Sequence, residues 1–586
     1  SARKAVLGVL SQIVGSLSVL WQVLTNINQS VAGSPRIVRS QLLELLSPIA
    51  LHHASSFLGA VATVWYDRRP LSSSSQVLSS ANEDQQVLVE LVSAIKTMPI
   101  DTLVVTLHSL VKQGAPYQEQ NPHIEVSALE LFLHYVRTTP GPHLAECWSS
   151  LFPLLRDAPN LQPPSQFLLF TVLSEFVHRT SSPLPDKKDQ KDLQDITAKL
   201  IESCSQIGGA CLEQTTWLRR NLAVREEEPS SSIGKNIFKR IIDFTALNFI
   251  VTALSVLAQL LAPMLDVTYG SQEKERVVTL LTTLMYNVTP YLKNHSQRNA
   301  SSFYACSQLL ASLSGFQYTR KAWKKDALDL LLDPALFQME ARSLPFWKTI
   351  TDNLMSQDTT TFRDLLSRVS FSQGNSLSIF SSREQEYEQR AQLLKRLSFA
   401  ILCSERDQFC KLMPEIQERL SESLRLPTVV PNVQAQVFLC FRVLLMRMSA
   451  HRITSLWPFI VSEMVQVFLH LEHELSSETE ECSSQIRLLL DWPWTGNTNG
   501  LQSSLMQPQW LQLALAVAKL LDLALRLPAD HLPQFQMYRW AFVGSSEPPS
   551  ESSVSSNKKP SSNQLNSDFI PHVNRIAALM DAKVCA

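Results

Sequence analysis

His470, His473 and Glu474 fall at i, i+3 and i+4 in the run His470-Leu471-Glu472-His473-Glu474, so a helix carries all three on one face. Two imidazoles and a carboxylate are the side chains of a zinc site. The order, however, is neither H-E-x-x-H nor H-x-x-E-H. The run also closes a surface-type helix at its polar end, and it reads as a solvated face. His52-His53, close to Pro48, reads as packing or capping. Gly496-Asn497-Thr498-Asn499-Gly500 has the glycine spacing of a nucleophile elbow, but with Thr for Ser and Asn around it, which makes it a plain turn. The chain has 15 glycines, and they build neither phosphate-cradling pattern. Carboxylates are spread along wet faces, so no acid–base pair stands out. The expectation is a non-enzyme with no catalytic residue, no metal ligand and no cofactor.

Two clusters carry binding chemistry instead. Arg320, Lys321, Lys324 and Lys325 surround Trp323 just ahead of an apolar helix. Such a cluster can meet anionic headgroups while its Trp sits at the lipid interface. The plainer reading is a wet first turn with Trp323 packed inward, its cations opposing the helix dipole at a cost that Asp326 offsets. Tyr538-Arg539-Trp540-Ala541-Phe542 holds the residue types of interface hot spots. It also suits the cap of a last helical layer, and the cap is the favoured reading.

The elements that must hold these residues are helices. The chain has 586 residues, more than one ordinary core uses. Few glycines argue against hairpins and an all-β fold, and 31 prolines fall mainly between helical patterns. Net charge is −1, which gives no global field toward nucleic acid. Nine cysteines, with no CxxC among them, sit mostly in apolar helical context and read as reduced thiols of a cytosolic protein. Sequons at Asn28, Asn287, Asn294 and Asn299 would matter only in a secretory lumen. Residues 5–35 and 244–265 pass the length test for membrane spans, but their polar residues and Pro263 favour buried solenoid helices. The start on Ser, directly in a helical pattern, reads as a piece of a longer protein.

Helical patterns follow in pairs: Arg36–Leu46 and Ala54–Tyr66 around Pro48, then Asp84–Lys96 and Thr102–Lys112 around Pro99. Later come Lys191–Ser205, Leu212–Val224, Ile237–Leu261, and a long exposed helix Arg383–Cys403 with Glu384, Glu386, Glu388, Arg390, Lys395 and Arg396 on its wet side. Pairs at this density predict an all-α fold, an α-solenoid of HEAT- or armadillo-like helix pairs, without a strict repeat consensus. Residues 1–225 form its N-terminal part, 226–236 a mobile acidic and Ser-rich loop, and 237–544 its C-terminal part. Residues 545–567 form a disordered Ser/Pro-rich linker and 568–586 a short terminal helix.

Three blocks carry a family resemblance. They are Tyr318-Thr319-Arg320-Lys321-Ala322-Trp323-Lys324-Lys325 with Leu330-Leu331-Leu332-Asp333-Pro334, then Ile453-Thr454-Ser455-Leu456-Trp457-Pro458 running into Glu463–Leu469, and Leu527–Val543. They resemble the C-terminal region of the Dopey family, large eukaryotic proteins of membrane traffic. The resemblance implies a scaffold, peripheral on the cytosolic face of Golgi (trans-Golgi network) and endosome membranes, serving endosome-to-Golgi retrieval and Golgi sorting. It implies as partners a Sec7-exchange-factor-related scaffold protein lacking exchange activity and a phospholipid flippase, with contact to anionic phosphoinositide membranes open. It transfers no catalytic residue. Two other readings stay open: a HEAT-type module binding cargo or a GTPase, and a lipid-handling or membrane-embedded helical protein.

Overall fold

The computed structural model describes residues 2–26, 35–69, 80–113, 123–180, 184, 186–225, 233–270, 273–369, 383–426, 428–476, 509–544 and 569–585. No strand occurs among them. The chain forms an all-α solenoid, and its helices group into two compact units, Ser1–Ile350 and Thr351–Ala586.

In the first unit the helices are α1 (Ala2–Gly8), α2 (Leu10–Asn26), α3 (Pro35–His52), α4 (Ala54–Asp67), α5 (Glu83–Ala94), α6 (Ile100–Gln113), α7 (Ile124–Thr138), α8 (Gly141–Ala145), α9 (Trp148–Asp157), α10 (Pro163–Arg179), α11 (Lys187–Arg225), α12 (Ile233–Thr268), α13 (Lys274–Leu292), α14 (Ala300–Ser314) and α15 (Arg320–Leu332). They stack in two rows. One row runs α2, α4, α7, α10, α12, α14, each packed on the next; the other runs α6, α9, α11, α13, α15. Interior helices of such a stack are covered on two sides, which is why α10 buries Phe167, Leu168, Leu169, Phe170, Val172 and Leu173 in nearly unbroken succession. Local chemistry starts the helices. At α5, the Asn82 side chain accepts from the Gln85 backbone N–H while the Gln85 side chain accepts from the Asn82 N–H, a reciprocal capping box.

Three boundaries differ from the sequence expectation. Pro48 lies inside α3 rather than between helices, and the chain turns at His53, bending α3 against α4 by 119°. A proline removes one N–H and kinks a helix, but flanks buried on both sides hold the helix together. Pro263 likewise lies inside α12. The expected helices Lys191–Ser205 and Leu212–Val224 are one helix, α11, which runs through Gly208-Gly209. A side chain at Gly209 would meet Asn287 Oδ1, 2.7 Å from where a Cβ would stand, so this glycine makes room for a neighbour rather than a turn. The expected loop at 226–236 falls mostly outside the described residues; α12 begins within it at Ile233, and α11 and α12 pack together in the first unit.

The division falls within α16 (Leu344–Ser356), and the second unit continues with α17 (Thr359–Arg368), α18 (Arg383–Cys403), α19 (Met413–Leu424), α20 (Pro431–Arg447), α21 (Ala450–Ile453), α22 (Trp457–Ser476), α23 (Gln509–Arg526), α24 (Pro533–Phe542) and α25 (His572–Cys585). One row is α18, α20, α23; α24 and α25 close over α22. The long helix α18 is wet only in part along the expected side: Glu384 and Glu388 are exposed, whereas the two arginines expected there are not. Arg390 and Arg396 are buried, with Arg390 Nε donating to Ser423 Oγ at 3.0 Å and Arg396 Nη1 to the Gln392 carbonyl at 2.6 Å. Period alone cannot tell an arginine that caps an interior carbonyl from one in water. Burial lowers the Arg390 guanidinium to about 10. The expected glycine turn at 496–500 and the linker 545–567 lie outside the described residues.

The described cysteines Cys147, Cys204, Cys306, Cys403, Cys410 and Cys440 are free, and all but Cys410 are buried. Burial pushes the Cys440 thiol up to about 12, which makes it inert. Asn299, one of the sequons, is buried, and its amide donates to the Tyr291 and Asn294 carbonyls, so it offers no acceptor for a glycan. Val251–Thr268 and Ala450–Ser476 are long and apolar enough to cross a membrane by length and composition. In the first of these Leu254, Leu257, Leu261 and Leu265 are buried inside the unit, where two-sided packing accounts for the apolar sequence.

Candidate docking sites

The basic cluster opens α15 after a 3-10 turn at Gln317–Thr319. Helical spacing sends Trp323, Ala327, Leu330 and Leu331 inward together. Trp323 is 0% exposed, and its indole N–H donates to Thr319 Oγ1 at 2.9 Å. The Thr319 hydroxyl in turn donates to the Leu313 and Phe316 carbonyls. Trp323 is therefore a core anchor and cannot sit at a lipid interface as the sequence suggested. The cations split as well. Lys321 and Lys325 are exposed, whereas Arg320 and Lys324 are half-buried, with the Arg320 guanidinium 5.8 Å from the Trp323 ring centre. Lys321 Nζ stands 4.0 Å from Glu275 Oε1, both exposed, a pair worth little to stability. What remains for a ligand is two lysines one turn apart beside a carboxylate.

The aromatic cluster near the C-terminus also divides. Phe542 is buried among Phe468, Phe535 and His572, with ring centres 5.8, 6.4 and 6.2 Å away. It is the cap, not a contact residue. Tyr538 is half-buried and Arg539 exposed. Trp540 is 62% exposed and meets Phe569 edge-on, ring centres 5.1 Å apart. Met537, 68% exposed, and Ile570 are also exposed on α24 and ahead of α25. The sequence signal missed Phe569 and Ile570 because they return from beyond the Ser/Pro-rich stretch.

Glu472 is what holds α25 in place. It lies between the two histidines first singled out, yet it is buried while His470 and His473 are exposed. Its Oε1 accepts from His572 Nδ1 at 2.7 Å, and Arg575 Nη1 lies 3.5 Å from Oε2. His572, Arg575, Ile576, Leu579 and Met580 fall at i, i+3, i+4, i+7 and i+8, one face, which packs on Leu471 and Leu475. No group of three or more His, Cys, Asp or Glu residues placed to hold a metal ion occurs among the described residues.

A cleft of about 190 Å³ in the first unit is lined by Asn294, His295, Gln338, Glu340 and Ser343. Both His295 ring nitrogens are buried without a hydrogen-bond partner, beside Phe303. Burial holds the imidazole below its usual range, opposed in part by Asp333. A histidine lowered in the folded state resists the proton that the unfolded chain takes up, so stability falls as pH drops from about 6.5 toward the folded value. His295→Leu is expected to raise stability by about 1 kcal/mol at pH 7.5, because the replacement leaves no orphaned nitrogen. The gain should widen at pH 5.5. Urea melts at the two pH values measure it, and a gain that does not grow on acidification contradicts the assignment.

A family model described as DOP1 C-terminal matches residues 131–491. The chain is 50% identical over 609 residues to "Protein DOP1 homolog" of Drosophila melanogaster, covering 100% of this chain and 23% of that protein. The chain belongs to the Dopey (DOP1) family. "Protein DOP1B" of Mus musculus is 39% identical over 575 residues, covering 93% of this chain and 24% of its own length. "Protein pad-1" of Caenorhabditis elegans is 31% identical over 650 residues, covering 93% and 26%. This Dopey chain thus spans about a quarter of the length of these relatives. The family match takes in much of the first half, where no distinctive block stood out. A crystal structure of importin beta aligns with 97% of the Dopey chain and 62% of its own length at 12% identity and a TM-score of 0.23, a score at which the two need share no more than stacked helices.

Proposed function

We propose that this Dopey segment is a non-enzymatic docking scaffold of a peripheral membrane-trafficking protein. The observation that carries the reading is the exposed Met537–Trp540–Phe569 patch, fixed on a rigid helical stack by a buried cap beneath it. Large aromatic side chains held rigid and in water are what interface hot spots are made of. On this reading the protein works on the cytosolic face of Golgi and endosome membranes in retrieval and sorting. Its partners are a Sec7-related scaffold lacking exchange activity and a phospholipid flippase. Capture of those two partners from detergent-free extract by the wild-type chain, and not by a Trp540 variant, supports it. Equal capture by both chains overturns it.

A second reading, direct contact with anionic phosphoinositide membranes, is favoured by the exposed pair Lys321 and Lys325. Each surface lysine near an anionic bilayer contributes about 1 kcal/mol. Replacing both by Ala should therefore weaken co-sedimentation with phosphoinositide vesicles about 30-fold. Neutral vesicles should bind neither protein. Unchanged sedimentation of the double variant removes this reading and leaves the membrane address to the partners.

A further inference from the structure

The helix α2 has the composition of an interior helix and the exposure of an end one. One side buries Leu10, Val14, Trp21 and Leu24 against the unit. The other carries Ile13, Leu20 and Val23, with Val19 at its edge and Val6 and Val9 just ahead of the helix, and the exposed Gln12 and Ser16 lie among them. Of these, Val6, Val9, Val19, Leu20 and Val23 are exposed and Ile13 is half-buried. Ile37, Leu45 and Leu51 of α3 are exposed as well, with Ser40, Gln41 and Glu44 exposed between them. The next helices in the same row set the standard. Each of α4, α7 and α10 is apolar on two sides and has a neighbour in the row on both, and among the described residues α2 has a row neighbour on the α4 side alone.

We infer that the outer face of α2 and α3 is a stacking face, completed by one more helical layer from the part of the longer Dopey polypeptide that precedes this segment. Two observations choose that occupant. The relatives are about four times longer than this chain, and the family match is to their C-terminal part, so there is chain on the α2 side to supply a layer. The large side chains it exposes are Val, Leu and Ile, with no exposed Trp or Tyr of the kind that marks a surface built for a transient partner, and they continue the row's own pattern. Stacked repeats bury their faces only against neighbours, and a true terminal repeat carries a polar outer face, whereas on α2 the exposed Val19, Leu20 and Val23 outweigh Gln12 and Ser16.

The test is thiol labelling. Val19→Cys and Val23→Cys are small changes at exposed positions, and the buried native thiols Cys147, Cys306 and Cys440 react slowly. Maleimide labelling of each variant is compared, by peptide mass, between the full-length Dopey protein and this 586-residue chain. The expected result is rapid labelling in the short chain and roughly tenfold or greater slowing in the full-length protein. Cross-links from the same cysteines should reach the residues just upstream. Equal labelling in both overturns the inference, since the face is then bare. Protection already present in the short chain and lost on dilution also overturns it, because the occupant is then a second copy.

Discussion

Trp323→Ala is expected to lower stability by about 3–5 kcal/mol, the range for removing a fully buried tryptophan. The indole fills the base of α15, and its N–H is used by Thr319, which itself ties the preceding 3-10 turn to two carbonyls. Removing it leaves a cavity and frees that turn at once. Circular dichroism in urea measures the effect, and a midpoint shift equivalent to less than about 1 kcal/mol would contradict the packing described. The same substitution separates two meanings of the basic cluster. Lys321→Ala with Lys325→Ala should leave the melt unchanged, because exposed lysines carry little stability. Any membrane phenotype of a Trp323 variant is then a folding phenotype.

Trp540→Ala has the opposite profile: negligible effect on the melt and a large effect on binding. An exposed tryptophan at the centre of a patch contributes about 2 kcal/mol or more to an interface it anchors, which is about a 30-fold loss of affinity. Met537→Ala and Phe569→Ala should each cost less singly. Combined with Trp540→Ala they should be non-additive, because Phe569 and Trp540 support each other edge to face. Calorimetric titration of the proposed Sec7-related partner measures this. Unchanged affinity in Trp540→Ala, with an unchanged melt, would move the docking site elsewhere on the scaffold.

How far the fold was legible follows from what period reports. Amphipathic spacing located helices such as α6, α22 and α23, whose apolar stripes repeat at i, i+3 and i+4. It could not separate a glycine that breaks a helix from Gly209, which admits the Asn287 side chain, because the difference lies in a helix far along the chain. The same holds for charge. Arg390 and Arg396 have the sequence context of wet residues, and only the packing of α18 against other helices puts them inside, with Arg390 on Ser423 of α19. Candidate sites were legible as clusters and not as surfaces. Trp323 and Phe542 belong to the right blocks but point into the core, while the exposed partners of Trp540 come from a distant segment. The titratable group that matters near His470 and His473 is Glu472, which the metal-ligand spacing passed over because its partner is His572.

The closure of α25 over α22 brings Phe542 and His572 to within 6.2 Å, ring centre to ring centre. The stretch of chain between them therefore leaves and returns at nearly one point. Loop-closure entropy grows only slowly with length, so residues can be added or lost there at about 0.6 kcal/mol per doubling. A nick there would leave the last helix seated on Glu472 as a bound peptide, so a protease could sever the polypeptide and leave the architecture whole.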